Sequence, residues 1–354
     1  MEFRLSKYSN NPILEPRRKS SWDAAQVRNP AAIMHDGKIH LVYTAAGDID
    51  IEHKLRLGHA ISADGFNFDF SGDNPFAEPS STEHGGFDAG GMEDPRAVKI
   101  DGVVYITYCA RAVPHWTFIQ GKRLINPPGD GVTWTRNYRR GGLIATTDMK
   151  NHSRLGPMTT DDHYDCNIIL FPEKINGEYA MLHRPSSFKA EIESGGGEAA
   201  GINICFSKDL KEWHGDQVLL KNEFPWETGK IGGATPPVKT KYGWLTLYHA
   251  VEKRPHQCNW HQDYHFCYRT GVALLDIDDP RKVLARVSHP IMEPEAVYEK
   301  FGTVNNVVFA TGIVQLGDEL FIYYGAADTV ICLATCNLKA LLDYTMKYRN
   351  RKSW

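Results

Sequence analysis

The acidic cluster best suited to acid–base chemistry lies in the segment GGMEDPR, where Glu93 and Asp94 stand between a glycine pair and Arg96. The glycines let the backbone approach a ligand closely, and Pro95 fixes the chain direction where a predicted strand begins. A carboxyl group at the mouth of a strand is placed as a general acid needs to be. An aspartate that caps a turn and pairs with Arg96 has equal support at this point.

Four cationic or hydrogen-bond-donating residues recur at the edges of predicted strands in successive parts of the chain. They are Arg154 in NHSRLGP, Arg184 in MLHRP, Lys230 in ETGKIGG and His249 in LYHAV. A single arginine at such an edge is usually a surface charge, whereas four such groups at related edges favour convergence on one anion. The spacing permits this convergence and does not by itself establish it.

A third group consists of polar residues that precede small residues at strand ends. Its members are Asn29 in VRNPA, Arg56 in LRLGHA and Asp328 in YYGAADT. Such groups suit hydrogen bonds to sugar hydroxyls. For each residue taken alone, capping of a strand end is the simpler explanation.

A repeated hairpin must position these residues. Five copies occur, each with two hydrophobic runs joined by a tight turn, and the turns lie about 65–75 residues apart. The turn pairs are Asp36-Gly37, Asp101-Gly102, Asn176-Gly177, Tyr242-Gly243 and Gly317-Asp318. Such pairs tolerate the positive φ of tight hairpin turns. A second, weaker hairpin follows each copy, so the sequence predicts an all-β, five-bladed β-propeller with four antiparallel strands per blade.

The even repeat predicts one closed ring, so residues 1–354 are assigned to a single propeller domain. NLKALLDYTMKYRN predicts a short C-terminal helical segment. Residues 111–142 and 186–201 interrupt the repeat as long loops, which are usually functional or disordered. The first is rich in Trp, Tyr and Arg and suits sugar stacking or contact with another subunit. A plain surface loop is equally compatible, and a homo-oligomer is left open.

Charge and hydropathy exclude several classes of function. The net charge is −3, the pI is about 6.6 and the basic residues are dispersed, so no nucleic-acid partner is expected. The segment MEFRLSKYSNNPILEP lacks the apolar region of a signal peptide. No apolar run approaches the ~18 residues of a membrane span. We therefore expect a cytoplasmic protein with no membrane partner.

Metal and nucleotide chemistry receive little support from the motifs. The seven cysteines include no CxxC pair. Cys258 and Cys267 flank His261 and His265, but an aromatic surface loop is favoured over a metal site there, and no metal is predicted. The chain also lacks GxxxxGK[ST], HExxH, GxSxG and a strand-linked GxGxxG.

A series of motifs resembles glycoside hydrolase family 130, the β-mannoside phosphorylases and related β-mannosidases. The resemblance extends from Asn11 to Thr335. It is carried, in order, by RNPAAI, EDPRAVKIDGVVYITYCA, RLGP, ILFPEKINGEYAMLHRP, KIGGATPP, GWLTLYHAV, YRTGVALLD and YYGAADT. The fold of that family is a five-bladed propeller, in agreement with the repeat count.

The resemblance implies inverting phosphorolysis of a non-reducing-end β-mannoside. Phosphate attacks the anomeric carbon and yields α-mannose 1-phosphate and a shortened acceptor, with mannosyl-glucose, mannosyl-N-acetylglucosamine or manno-oligosaccharides as substrates. The implied acid is Asp94, which passes its proton through a sugar hydroxyl. The implied phosphate ligands are Arg154, Arg184, Lys230, His249 and Tyr268. Sugar binding is assigned to Asn29, Arg56, Glu93 and Asp328.

The balance of charges favours this chemistry over hydrolysis. An inverting glycosidase uses two carboxyl groups about 6.5–9.5 Å apart, one of which activates water. A phosphorylase needs one, because phosphate is the nucleophile and cations orient it. We therefore expect phosphate as co-substrate and no metal or organic cofactor. A β-mannosidase remains the alternative, with Glu93, Glu173 or Glu227 as its second carboxylate, and a non-catalytic carbohydrate-binding propeller is a third hypothesis.

Overall fold

The described chain folds into five separate antiparallel sheets that follow one another in sequence. The computed structural model describes residues 2–47, 54–112, 139–160, 164–186, 201–253 and 266–349. Each sheet contains four strands, except that the fourth sheet has an additional short strand, and the strands follow sequence order except in the fifth sheet, which takes its outer strand from the N-terminus. The predicted five-bladed propeller with four-stranded antiparallel blades is confirmed.

The first strand of the chain, β1 (Ser6–Lys7), belongs to the last blade. Blade 1 contains β2 (Gln26–His35), β3 (Lys38–Ala46), β4 (Arg56–Ser62) and β5 (Asp69–Phe70). Blade 2 contains β6 (Gly91–Ile100), β7 (Val103–Arg111), β8 (Arg140–Thr146) and β9 (Ser153–Pro157). Blade 3 contains β10 (Tyr164–Leu170), β11 (Tyr179–Ser186), β12 (Ile202–Ser207) and β13 (His214–Leu220).

Blade 4 begins with two short strands, β14 (Ile231–Gly233) and β15 (Val238–Thr240), which both pair with β16 (Gly243–Lys253). Its remaining strands are β17 (Phe266–Leu275) and β18 (Val283–Arg286). Blade 5 contains β19 (Val308–Leu316), β20 (Glu319–Ala326) and β21 (Val330–Asn337), with β1 as its outer strand. The described helices are α1 (Val297–Lys300) and α2 (Leu338–Met346), together with 3-10 turns at Glu83–Gly86 and Pro225–Glu227.

The closure of the ring differs from the sequence expectation. The segment VICLATCNLKALL was expected to form the second hairpin of blade 5. It instead forms β21 and then α2, where the side chain of Asn337 accepts a hydrogen bond from the Ala340 amide at 3.0 Å. The outer strand comes from the N-terminus, where Ser6 pairs with Thr335 and Lys7 with Ala334. The predicted C-terminal helical segment is therefore confirmed, and the chain ends are joined in one sheet.

The hairpin turns follow the chemistry of their dipeptides. Both residues of Asp36-Gly37, Asp101-Gly102 and Asn176-Gly177 have positive φ, as the favoured two-residue hairpin turns require. The hydrophobic core is divided into five clusters, one between each pair of neighbouring blades. Inner strands are therefore buried on both faces, which explains the nearly continuous apolar runs in the sequence.

A bulge at one common position shapes the first strands of the first three blades. The pairing register shifts between Arg28 and Ala31 in β2, and again at the matching positions of β6 and β10. The residues within these bulges are Asn29 (φ 49°), Asp94 (φ 53°) and Asn167 (φ 57°). Positive φ is tolerated best by Asn, Asp and Gly, and a bulge re-aims the side chain it carries. All three side chains line the same cavity.

The two interruptions occur between the second and third strands of blades 2 and 3, although Arg111 and Arg140 lie within strands. Cys258, His261 and His265 fall outside the described residues. Among the residues that the structure describes, no three His, Cys, Asp or Glu side chains are grouped so that they could hold a metal ion. No helix in the described ranges is long and apolar enough to cross a bilayer.

Candidate active site

Residues from all five blades line one polar cavity of about 190 Å³. Its carboxylates come from blades 2 and 5, whereas Arg184, Lys230 and His249 come from blades 3 and 4. The lining residues predicted from sequence are Asn29, Glu93, Asp94, Arg184, Lys230, His249, Tyr268 and Asp328. The repeat therefore brings eight of the ten sequence-predicted positions together, and Arg56 and Arg154 lie elsewhere.

Asp94 is the carboxylate held at the mouth of the inner strand of blade 2. Its amide donates to Oγ1 of Thr44 at 2.8 Å, and its Oδ1 accepts from Nδ2 of Asn29 at 2.7 Å. Arg96 does not act as the expected partner of this carboxylate. Its guanidinium donates to the main-chain oxygens of Asp94 and Ala234, at 2.6 and 3.0 Å. Arg96 thus supports the backbone and leaves the Asp94 side chain directed into the cavity.

Arg28 links the three acidic residues of the cavity. Its Nη2 lies 3.2 Å from Oε2 of Glu93, and its Nη1 lies 3.2 Å from Oδ2 of Asp328 and 3.7 Å from Oδ1 of Asp94. Burial opposes the charge on Arg28, but the three carboxylates outweigh it and raise its pKa. Burial also raises the pKa of Asp328, although Arg28 opposes this effect.

Each carboxylate proposed as a water-activating base is paired with a cationic side chain. Glu93 binds Arg28 and also Arg111, whose Nη2 lies 2.6 Å from Oε1 of Glu93. Glu173 pairs with Lys239 on an exposed surface. Glu227 is buried and binds Arg286 and the Tyr248 hydroxyl. Of the described residues, neither Glu173 nor Glu227 lines the cavity.

Blades 3 and 4 place positive charge in the cavity lining. Arg184 is buried, and its Nε donates to Oδ1 of Asn167 at 3.0 Å. Nζ of Lys230 lies 6.0 Å from the ring centroid of Tyr268, and that ring is nearly parallel to His249 at a centroid distance of 6.2 Å. Cationic and hydroxyl donors in this arrangement are the groups that bind phosphate or carboxylate.

The pKa of His249 is lowered by burial and by the cationic residues around it. Burial, Arg184, Lys230 and Arg96 together hold the pKa of His249 well below its usual value. Its Nδ1 lies 3.2 Å from the main-chain oxygen of Gly233 and must donate, because a carbonyl can only accept. The neutral imidazole then keeps Nε2 as an acceptor. A neutral histidine among buried cations marks a region where an anion is favourable.

Close packing against two glycines fixes the positions of three side chains in the cavity lining. A Cβ at Gly232 would overlap the side chains of Asn167 and His249, and a Cβ at Gly325 would overlap Asn29. Only glycine allows the strands to approach these side chains so closely. The glycines of the KIGG and YYGA segments are therefore required by the geometry of the cavity.

Arg154 was predicted to bind phosphate, but the structure does not bring it to the cavity. It lies in β9, the outermost strand of blade 2, and pairs with Asp88 and with Glu83 at 2.6 Å. The sequence analysis places Arg154 at the edge of a predicted strand, and the structure shows that this strand is the fourth of its blade. A fourth strand lies at the rim of a propeller, and Arg154 is not part of the cavity lining.

Arg56 was predicted to bind sugar, and it also lies outside the cavity lining. Its Nε lies 3.2 Å from Oε1 of Glu78, and its Nη1 donates to the main-chain oxygen of Lys54. It begins β4, the third strand of blade 1, and the cavity lining does not include it. The arginine that blade 1 places in the cavity is Arg28, one residue before Asn29.

Several lining residues were missed by sequence reasoning. They are Arg28, Cys109, Arg111, Arg139, Cys166, Asn167, Val304, Val307 and Phe309. Asn167 could have been found by aligning the repeats, because it occupies the bulge position of Asn29 and Asp94. Arg111 and Arg139 were assigned to the loop at 111–142, and no local signal marks them as part of the cavity.

Comparisons with known proteins agree with this geometry. The glycoside hydrolase family 130 model, described as beta-1,4-mannooligosaccharide phosphorylase, matches residues 4–347. A 1,2-beta-oligomannan phosphorylase of Thermoanaerobacter sp. (strain X514) is 37% identical over 95% of this chain and 98% of its own. A beta-1,2-mannobiose phosphorylase of the same organism is 34% identical over 94% of this chain and 97% of its own.

A solved structure shows the same similarity in three dimensions. The beta-1,2-mannobiose phosphorylase of Listeria innocua, in complex with beta-1,2-mannobiose, superimposes with a TM-score of 0.74. It is 26% identical in sequence, and the match covers 96% of this chain and 99% of that chain. The likeness therefore extends over the whole propeller.

Proposed function

Because this chain belongs to glycoside hydrolase family 130, a family of glycoside phosphorylases, we propose that it phosphorolyses β-mannosides with inversion of configuration. The observation that carries the proposal is that one cavity is lined by Asp94 from blade 2 and by Arg184, Lys230 and His249 from blades 3 and 4. An acid on one side and an anion site on the other are what attack by phosphate on a glycoside needs.

The proposed reaction follows from this division. Phosphate binds near Arg184, Lys230, His249 and Tyr268, and one of its oxygens forms a bond to the anomeric carbon of mannose. The glycosidic bond breaks, and the departing oxygen takes a proton that originates from Asp94 through a sugar hydroxyl. The products are α-mannose 1-phosphate and a shortened acceptor, so no water is consumed.

The mannosyl unit is proposed to bind beside Asn29 and Asp328. Oδ1 of Asn29 is buried and has no hydrogen-bond donor among the described residues, although its Nδ2 donates to Asp94. A buried acceptor without a donor is unfavourable, and a sugar hydroxyl would supply the missing hydrogen bond. Asn29 would thus connect the sugar directly to the acid.

We propose a β-1,2-linked mannoside as the substrate. The two relatives that match nearly the whole chain at 37% and 34% identity are both named for β-1,2-linked substrates. The family model carries a β-1,4 description, and β-1,4-linked manno-oligosaccharides are therefore the second candidate.

The hydrolytic alternative is weakened by the ion pairs. A β-mannosidase needs a carboxylate that can accept a proton from water. Glu93 is held between Arg28 and Arg111, so both of its carboxylate oxygens already bind guanidinium groups. The charges in this cavity therefore favour phosphate over water as the nucleophile.

The test is incubation of the protein with β-1,2-mannobiose, β-1,4-mannobiose or mannosyl-N-acetylglucosamine, each with and without phosphate. We expect phosphate-dependent mannose 1-phosphate from β-1,2-mannobiose. Asp94→Asn should reduce kcat by at least roughly 10²-fold, because it removes the proton donor. Asp343→Asn, at an exposed helix position, should leave turnover unchanged. Free mannose formed irrespective of phosphate would contradict phosphorolysis and indicate a mannosidase.

A further inference from the structure

Two reduced cysteines face each other in the wall of the cavity. Sγ of Cys109 lies 3.8 Å from Sγ of Cys166, and both side chains are buried in the protein while lining the cavity. Cys109 belongs to β7 of blade 2 and Cys166 to β10 of blade 3. The pair therefore spans the boundary between two blades at the level of the active-site residues.

We propose that Cys109 and Cys166 form a redox-active dithiol site, which a hydroperoxide converts into a reversible disulfide that impairs the cavity. The site rests on the contact between the two sulfurs and does not depend on the proposed function. The oxidant belongs to the class of small hydroperoxides, for which a cavity of this size is accessible.

The required movement is small. A disulfide bond is about 2.05 Å long, so the sulfurs must approach each other by about 1.7–1.8 Å from their present separation of 3.8 Å. The two strands are already tied together nearby, since Oγ1 of Thr107 donates to the main-chain oxygen of Ile168 at 2.5 Å. Thr107 precedes Cys109 by two residues and Ile168 follows Cys166 by two. The two strands are thus already adjacent beside the sulfur pair.

The two sulfurs have different surroundings, which assigns them different roles. Cys109 donates its thiol hydrogen to Sγ of Cys166, and Nη1 of Arg139 lies 3.9 Å from the same sulfur. The hydrogen bond to Cys166 and burial hold the pKa of Cys109 well above its usual value. A neighbouring guanidinium and a donated hydrogen bond stabilise a thiolate. Cys166 is therefore the nucleophile, and Cys109 is the resolving thiol.

The disulfide forms in two steps. The Cys166 thiolate attacks the peroxide, the O–O bond breaks, and Cys166 becomes a sulfenic acid while the departing oxygen leaves as an alcohol or water. Sγ of Cys109 then attacks the sulfur of Cys166, loses its proton and displaces water. The two sulfurs together lose two electrons, the peroxide gains two, and a thiol reductant reverses the step.

The disulfide would alter the cavity through the residues next to it. Cys109 pairs across the sheet with Glu93, and Cys166 pairs with Arg184. Asn167, which orients Arg184, directly follows Cys166. Drawing the two sulfurs together therefore displaces strands that carry both the acid side and the anion side of the cavity.

The experiment uses the full-length protein, fully reduced and then treated with hydrogen peroxide. Peptides produced without reduction, after thiols are blocked at low pH, are analysed by mass spectrometry. We expect the Cys109 and Cys166 peptides joined with a mass loss of two hydrogens, and recovery of both separate peptides after dithiothreitol. Phosphate-dependent turnover should fall by roughly 10–100-fold and recover with the same treatment, since misplacement by about 1 Å can cost up to 10²-fold.

Variants separate the roles of the two sulfurs. Cys109→Ser should accumulate a sulfenic acid on Cys166 that dimedone traps, whereas Cys166→Ser should leave Cys109 unoxidised. Cys336→Ser, at the end of β21, should oxidise like the unaltered protein. If either thiol remains reduced, if Cys109 or Cys166 joins a different cysteine, or if the disulfide forms without loss of turnover, the proposal is overturned. Should the reduced protein show no turnover, phosphate binding replaces activity as the readout, and the disulfide is still detected by mass.

Discussion

At the scale of single residues, position in a strand decides function more than residue type does. Arg28 and Arg56 are both arginines of blade 1, yet only Arg28 lines the cavity. Arg28 directly precedes the bulge residue of the innermost strand, whereas Arg56 begins the third strand. The same contrast separates Arg184 from Arg154. In both pairs, the arginine on the more inner strand of its blade lines the cavity and the arginine on the more outer strand does not.

His249 provides a test of the anion site at this scale. Burial and the neighbouring cations lower its pKa, so it is neutral at pH 6–7 in the empty cavity. A bound dianion favours the imidazolium form, and binding should therefore take up protons. We expect sulfate, which does not titrate in this range, to bind with net proton uptake near pH 6 and more tightly as the pH falls. Calorimetry in two buffers of different ionisation enthalpy measures the uptake.

Two variants complete that measurement. His249→Asn should bind sulfate without the proton uptake, because the titrating group is absent. His214→Asn changes an exposed histidine that pairs with Glu178 and should behave like the unaltered protein. Binding of sulfate with equal proton uptake in His249→Asn would assign the titration to another group.

At the scale of elements, paired strands hold the anion-binding side chains from behind. Asp165 in β10 accepts hydrogen bonds from the His183 ring at 2.8 Å and from the Arg184 amide at 3.2 Å. Nε2 of His183 lies 3.1 Å from Asp216 of β13. These contacts join three strands of blade 3 on the face opposite the Arg184 side chain. The orientation of Arg184 thus depends on a histidine outside the cavity.

The charge of His183 predicts a pH dependence of stability. Burial opposes protonation, but Asp165 and Asp216, with a hydrogen bond to Cys205, outweigh it and hold the pKa of His183 well above 6.5. This contribution is complete below the unfolded-state pKa of about 6.5 and is lost as the pH rises through the higher folded-state pKa. His183→Gln should lower the free energy of unfolding by about 1.5–3 kcal/mol at pH 6 and by less at higher pH. Urea unfolding across this pH range measures the difference.

The exposed His214 supplies the matched control for this prediction. His214→Gln should leave both the stability and its pH dependence close to those of the unaltered protein, because exposed ion pairs contribute about 0–1 kcal/mol. A variant at His183 whose deficit stays constant across the pH range would show that lost packing, rather than lost charge, is responsible.

At the scale of the whole molecule, the sequence predicts what is local and periodic. Asp36-Gly37 and the matching turns of blades 2 and 3 mark their hairpins, because positive φ at two successive residues restricts the residue types, and the turns of blades 4 and 5 each contain one glycine with positive φ. The blade count follows from these turns, and the bulge positions of Asn29 and Asp94 belong to the same repeat. Most of the polar lining could therefore be predicted before any coordinates were known.

Contacts between distant segments could not be predicted in this way. The outer strand of blade 5 comes from Ser6 and Lys7, and no periodic signal in the sequence distinguishes it from another surface segment. The meeting of Cys109 with Cys166 depends on the packing of two blades, which residue spacing does not specify. Arg111 and Arg139 likewise reach the cavity only because their strands flank an inserted segment.

The closure of the ring also reaches the cavity, and Lys7 is the residue that connects them. Nζ of Lys7 lies 2.8 Å from Oε2 of Glu299, a fully buried carboxylate that also accepts from the Tyr324 hydroxyl at 2.8 Å. The main-chain oxygen of Glu299 accepts from the Val307 amide, and Val307 lines the cavity. The N-terminal strand therefore stabilises the segment that forms one wall of the active site.

Lys7→Met should destabilise the protein by about 3–5 kcal/mol, because it removes the cation from a buried carboxylate and leaves that charge uncompensated. The apolar part of the side chain is retained, so the β1–β21 pairing itself is preserved. Urea unfolding measures the free energy of unfolding of each variant. Lys38→Met, at an exposed strand start, should change stability by less than about 0.5 kcal/mol. Equal stability of the two variants would show that strand pairing alone closes the ring.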